Sequence, residues 1–318
     1  MSAAAGPVPP RHGKIVETGS YGHRAGPGRP VSIGRRGRMG WHTSSDLREH
    51  VANADAFLRE RPVENTVLLT VATTLHERGR HSFGADEPLF GWCRSAGGAV
   101  VGAFLHTPPR GVVLSHMPPE AARALPGVLA GLGHRFGEVH GEAGLVGAFA
   151  AGQSEIAGAP REIRRERLYR LGELTPPTPG PPGAARRAGP ADRSLLVPWY
   201  EAFAREIGDP DSVPAVAVDY RVSYGGLLLW EADGVVRSMA AVSRPVAGTS
   251  RIGPVYTPPE FRGRGYAGAV TAAASVATRE AGARDVLLFA DQANPTSNRL
   301  YQRLGFRPVA DYLMVAFD

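Results

Sequence analysis

Between Arg262 and Gly268 two arginines and three glycines stand close together, where strand-forming residues give way to an alanine-rich run. Glycines at such a junction let backbone N–H groups approach an anion, and a helix starting there adds unbonded N–H groups and the positive end of its dipole. Arg262 and Arg264 are placed to add charge-assisted hydrogen bonds. The chemistry indicated is phosphate binding, against the plainer alternative of an ordinary Arg-Gly turn. Two familiar phosphate loops do not fit. No Gly-Lys-Ser/Thr follows, and Gly268 directly after Ala267 breaks the dinucleotide spacing. Arg-Gly segments that bind RNA repeat, and this one occurs once inside periodic sequence.

A second polar set runs from Asn294 through Asn298 to Tyr301, Leu304 and Phe306. Asn294 followed by Pro295 has the form of a helix cap with proline at the first helical position. Tyr301, beside Leu300 and Leu304, reads as a core residue whose phenol is also able to act as an acid. Glu231 and Asp291 close predicted strands, and each is also a simple solvated carboxylate. His106 and His116 in the first half are candidates to reach across an interface, or ordinary surface histidines. No pair has metal-ligand spacing, so no metal is expected.

The elements that must position these residues follow from periodicity. Residues 47–61 read as a helix capped by Asp46, 63–74 as a β-branched strand, and 89–94 with 99–106 as a hairpin. Residues 112–116 read as a strand and 119–132 as a helix. After the proline-rich stretch 175–183 the pattern resumes, with a helix carrying Leu196, Trp199, Phe203 and Ile207 on one face. A hairpin over 227–231 and 235–243, a strand over 251–257 and a helix over 266–281 follow. Then come a strand over 286–290, a helix over 295–304 and a strand over 312–317.

The two passes repeat. Met117-Pro118-Pro119-Glu120 returns 140 residues later as Thr257-Pro258-Pro259-Glu260. The first copy continues with Ala121-Ala122-Arg123-Ala124-Leu125, the second with Phe261 and the glycine loop, which implies an internal duplication in which one copy carries the special loop.

Composition bounds the setting. With 318 residues, 43% apolar and 21% charged, the chain is long enough for two ordinary domains, and no apolar run is long enough to span a bilayer. Cys93 is the only cysteine, which excludes an intrachain disulfide and fits a cytoplasmic setting. The net charge of +6 belongs to residues 1–40, which hold seven basic residues against Glu17 alone; the rest balances at 29 of each sign. That tail is expected to be disordered, with a translation start at Met39 as the alternative. A neutral body gives no steering toward nucleic acid.

Arg262-Gly263-Arg264-Gly265-Tyr266-Ala267 resembles the Arg/Gln-x-x-Gly-x-Gly/Ala signature of the GNAT (GCN5-related N-acetyltransferase) superfamily, with Val255-Tyr256-Thr257 ending the preceding strand and the segment 294–306 resembling its closing motif. The arrangement is similar to two-domain FR47-like and tandem actinobacterial members. The resemblance implies an α/β fold with a mixed sheet: a disordered tail at 1–40, a degenerate copy at 41–172, a linker at 173–192 and an intact copy at 193–318. It implies acetyl-CoA as co-substrate, held by Val255, Tyr256, Thr257, Arg262, Gly263, Arg264, Gly265, Tyr266, Ala267, Asn294, Asn298 and Tyr301. The Val255 amide would meet the thioester oxygen, Thr257 backbone the pantetheine arm, and amides of 263–267 the pyrophosphate. Tyr301 would protonate the leaving thiolate after direct attack by an amine through a tetrahedral intermediate. Some members carry a glutamate early on the strand before the loop; Arg251 stands there, leaving the general base open.

An N-acetyltransferase acting on a small-molecule amine is the leading expectation, with no nucleic-acid or membrane partner and an open oligomeric state. A non-catalytic acyl-CoA-binding protein and a nucleic-acid binder acting through the tail are the alternatives.

Overall fold

The computed structural model describes residues 39–156, 158–209 and 212–317. The expected basic tail lies outside the described residues as far as Arg38, and Gly40 already belongs to the first strand. The first half runs β1 (Gly40–Ser44), α1 (Leu47–Glu60), α2 (Thr66–Arg78), β2 (Leu89–Arg94), β3 (Val100–His106), β4 (Val112–Leu114), α3 (Pro119–Gly131), β5 (Glu138–Glu142), α4 (Ala143–Ser154) and β6 (Arg161–Leu171). The second runs β7 (Ala184–Arg187), α5 (Arg193–Ile207), α6 (Pro214–Ser223), β8 (Leu227–Ala232), β9 (Val235–Val242) and β10 (Thr249–Tyr256). It ends with α7 (Tyr266–Glu280), β11 (Asp285–Asp291), α8 (Pro295–Arg303) and β12 (Phe306–Ala316).

All the strands form one 12-stranded mixed sheet, in the order β1-β2-β3-β4-β5-β12-β6-β11-β10-β9-β8-β7. Each half therefore follows the same path, four antiparallel strands and then a parallel fifth, β4 beside β5 and β10 beside β11. The last strand of each half crosses over. Strand β12 lies against β5 of the first half, and β6 lies against β11 of the second, while β6 and β12 pair with one another along their lengths. The expected division into residues 41–172 and 193–318 does not divide the sheet.

Alternate residues of one strand supply opposite layers. Phe104 packs under α3 and α4, whereas Ala103 and Leu105 pack under α1 and α2. In the second half Ala240 and Val242 meet α7, and Met239 and Ala241 meet α5 and α6. A smaller cluster of Val63, Leu168, Leu287 and Tyr312 ties the halves together at the middle of the sheet.

Two expectations need correction. Residues 63–74, read as a strand from their β-branched content, include the start of α2. Its threonines satisfy their hydroxyls on carbonyls one turn back, Thr70 on Thr66, Thr73 on Leu69 and Thr74 on Thr70, so branching is accommodated in the helix. The segment 173–192 is more than a linker. Ala184–Arg187 is the strand β7, paired with β8, and the proline-rich part is tied down by Thr175 N–H to Leu304 O (3.0 Å) and Trp230 Nε1 to Pro182 O (2.9 Å).

Because each half's sheet is completed by the other's last strand, thermal unfolding is expected as one transition with equal calorimetric and van't Hoff enthalpies. Two resolved transitions in a scanning calorimeter would show that the halves fold separately.

Candidate active site

Strands β10 and β11 pair from Thr249↔Asp285 to Arg251↔Leu287, and there the ladder ends. Between Ile252 and Val255 the opposite edge of β10 shifts register against β9, with Pro254, which has no N–H, inside the irregularity. The direction of the Val255 peptide follows from alternation along β9. Val242 N–H donates to Gly226 O on the β8 side and Ser243 N–H donates to Arg251 O of β10, so Ala240 faces β8. Val255 is the partner of Ala240, and paired residues of an antiparallel ladder face each other or both turn away. Its N–H and C=O therefore point toward β11, into the gap where the ladder has ended.

The strand leads into Thr257. Its hydroxyl lies 2.8 Å from Ser238 Oγ, and its carbonyl accepts from Arg262 Nε at 2.8 Å. A short turn over Pro259–Phe261 follows. Gly263 has φ +76° and Gly265 has φ +82°, the left-handed region where a side chain costs about 1–2 kcal/mol. Their requirement is conformational rather than steric, since a Cβ on Gly263 would meet nothing within 4 Å and one on Gly265 would meet only Pro181 at 3.7 Å. Helix α7 begins at Tyr266 with Gly265 as its cap. Among the described residues no acceptor bonds the backbone N–H groups of 263 through 268. They are unbonded donors at a helix start, an arrangement able to cradle an anion.

The first half shows what is missing without the glycines. There the helix starts directly at Pro119, after Pro118, and neither proline has an N–H. The N–H groups of Ala121 and Ala122 both bond Pro118 O. Little remains there to hold a phosphate.

The sequence-predicted residues do not all converge. Arg262 is engaged within the protein, bonding Thr257 O and pairing with Glu206 at 2.6 Å, whereas Arg264 is exposed with no partner among the described residues. Tyr256 packs against Trp199, and Tyr266 is buried. Ala267 contributes its N–H to the cradle. Pro177 and Pro181 of the proline-rich segment lie beside Gly268 and Gly265 and wall one side of it.

Helix α8 brings Tyr301 into the cluster that holds Val286, Leu288 and Ala290 of β11, with Val255 packed against it. The ring meets Phe306 at 6.0 Å, and the hydroxyl has no hydrogen-bond partner among the described residues. Burial pushes its pKa up to about 12, so the phenol keeps its proton. Asn294 caps the helix, Oδ1 accepting from Ser297 N–H at 3.0 Å. Asn298 is also occupied. Its Oδ1 accepts from Tyr169 Oη, and its Nδ2 donates to Asp291 O and Asn294 O. Both side chains are engaged with protein groups at the start of α8.

The carboxylate and imidazole candidates each have partners of their own within the protein. Glu231 pairs with Arg186 at 2.6 Å, and Asp291 Oδ1 accepts from Ala293 N–H. His106 is buried against His134, and burial and that neighbour push its pKa down to about 4. His116 stands 3.6 Å from Glu142 in the first half. Arg251 is half-buried, its Nη1 sealed from solvent and unbonded, and desolvation, then Arg221, draws its pKa down to about 10. Sequence reasoning missed Tyr169, which arrives from the first half on β6 to hold Asn298; the charge of the surrounding Arg-Glu run hid that strand.

Among the described residues no group of three His, Cys, Asp or Glu side chains is placed to hold a metal, and no helix is long and apolar enough to cross a membrane.

Residues 233–315 match the family model described as FR47-like protein. No curated protein matches the chain in sequence. Solved structures share its fold. A GCN5-related N-acetyltransferase from Sphaerobacter thermophilus is 19% identical, with a TM-score of 0.53, covering 76% of this chain and 84% of that one. A GNAT-family acetyltransferase from Colwellia psychrerythraea is 10% identical, with a TM-score of 0.55 and coverage of 91% and 100%. A tandem GNAT protein from the clavulanic acid biosynthesis pathway is 13% identical, with a TM-score of 0.51 and coverage of 88% and 98%.

The two arginines are expected to separate in their effects. Arg264→Ala should weaken CoA binding several-fold in a calorimetric titration without moving the melting temperature. Arg262→Ala should lower the melting temperature through its lost bonds to Thr257 and Glu206. The reverse pattern would place the ligand on Arg262.

Proposed function

We propose, from the match of residues 233–315 to the FR47-like family model and the fold shared with GNAT acetyltransferases, an acetyl-CoA-dependent N-acetyltransferase acting on a primary amine of a small molecule. The observation that carries the reading is the Val255 peptide, turned into the gap between β10 and β11, with Tyr301 in the apolar cluster against which the Val255 side chain packs. When bound, acetyl-CoA supplies an activated acyl group. The chain's own residues do the rest.

The N–H groups of 263–268 hold the pyrophosphate, with Arg264 adding charge from the exposed side. Val255 N–H donates to the thioester oxygen, where negative charge grows as the amine attacks, and a fixed donor stabilises that charge without reorganising. Tyr301 would give its proton to the sulfur as the C–S bond breaks; the proton that the attacking nitrogen sheds would pass to solvent, which would return one to the tyrosinate. A phenol held protonated in an apolar cluster suits this task, because the same surroundings that disfavour tyrosinate also disfavour the departing thiolate. Thr257 Oγ1 and Ser238 Oγ fix the strand end that carries these groups.

A second reading, an acyl-CoA-binding protein without transfer, is favoured by one observation: Glu231 and Asp291 are taken up in bonds to protein groups. An acetyl-CoA consumption assay over a panel of primary amines separates the two. Turnover supports transfer, and tight binding of one acetyl-CoA per chain without turnover supports the alternative. In the active case Tyr301→Phe is expected to lower kcat about 100-fold with CoA affinity unchanged. Unchanged kcat would remove Tyr301 as the acid.

A further inference from the structure

On the α2 side of the sheet a cavity of about 310 Å³ lies where the two halves meet. Its volume falls at the small end of ligand sites. Val67, Val71, Leu105 and Met314 supply apolar wall, drawn from α2, β3 and β12. The polar groups come from both halves: Glu138 and His140 from β5, Arg164 from β6, Arg110 from the loop after β3, and Asp209 from beyond α5.

The charges lining this cavity sum to zero, and one carboxylate among them is left without a partner. Arg110 bonds Asp209 across the halves at 2.9 and 3.0 Å, and Arg164 lies 3.6 Å from Glu166. Glu138 has no ion-pair partner among the described residues. His140 adds a directed group. Its Nε2 is sealed from solvent 3.5 Å from Glu166 Oε2, and its ring is wedged against Phe289 and Tyr312. Nδ1 has no partner among the described residues. With Nε2–H turned to the carboxylate, Nδ1 presents a lone pair. Glu138 and His140 are two apart on one strand and so share a face.

We propose that this cavity is a binding site for a small amine with an apolar body, its ammonium held between the Glu138 carboxylate and His140 Nδ1. The unpaired Glu138 carboxylate selects a cation, the lone pair selects a hydrogen-bond donor, and the walls select the apolar remainder. The inference rests on the cavity and stands whether or not the chain transfers acetyl groups.

Calorimetric titration of the full chain tests it, with phenethylamine and n-hexylamine as probes and 2-phenylethanol as the uncharged control. Saturable binding of one amine per chain is expected, at least tenfold tighter than the alcohol. Glu138→Gln should weaken amine binding at least tenfold and leave the alcohol unchanged. Val71→Trp should fill the cavity and abolish both. Unaltered CoA binding and melting temperature in each variant show that the fold is kept, and a Val71→Phe variant replaces Val71→Trp if the larger residue unfolds the chain. Failure of both amines to saturate, equal affinity for amine and alcohol, or amine binding indifferent to a folded cavity-filling variant would overturn the proposal.

Discussion

Strands β10 and β11 stop pairing after Arg251 and Leu287, and the site depends on that separation. A parallel ladder carried further would have consumed the Val255 peptide in a strand-to-strand bond. Instead the register shift against β9 and Pro254, with no N–H, let β10 leave its neighbour without leaving the sheet. The same strand runs on through Thr257 and a short turn to the start of α7, so the freed Val255 peptide and the six unbonded N–H groups lie on one continuous stretch of chain. Helix α8 closes the far side, with Tyr301 in the same apolar cluster as Val255.

The exchange of last strands makes this a property of the whole chain. Strand β6, from the first half, pairs with β11 along Leu287 to Asp291 and so braces the far wall of the gap. It also delivers Tyr169 to Asn298 and Glu166 to His140. A half that lacks a phosphate cradle of its own is thereby retained as a structural partner. Its helix start, Pro118-Pro119, has exchanged free N–H groups for a compact cap.

The glycine loop was legible in the sequence because its requirements are local. Left-handed φ at Gly263 and Gly265 demands glycine, and Asn294-Pro295 is a cap in sequence and in structure. The repeat was legible through Pro-Pro-Glu. What could not be read was set by partners far along the chain. Strand β6 carries a charged run whose cations and anions are matched only after pairing, as Arg167 is with Asp311 at 2.6 Å. The threonines of α2 look like strand residues until their hydroxyls are seen bonding carbonyls one turn back. Asn298 reads as a ligand residue from its motif, yet Tyr169, 129 residues away, takes its side-chain oxygen. The strand exchange leaves no local signal at all.

Amide hydrogen exchange with and without CoA tests the central claim most directly, that a single cradle in the second half holds the ligand. Slowed exchange is predicted for the amides of residues 263–268 and of Val255, with the amides of Glu120, Ala121 and Ala122 in the first half unchanged. Protection confined to the first half, or no protection at 263–268 at saturating CoA, would contradict it.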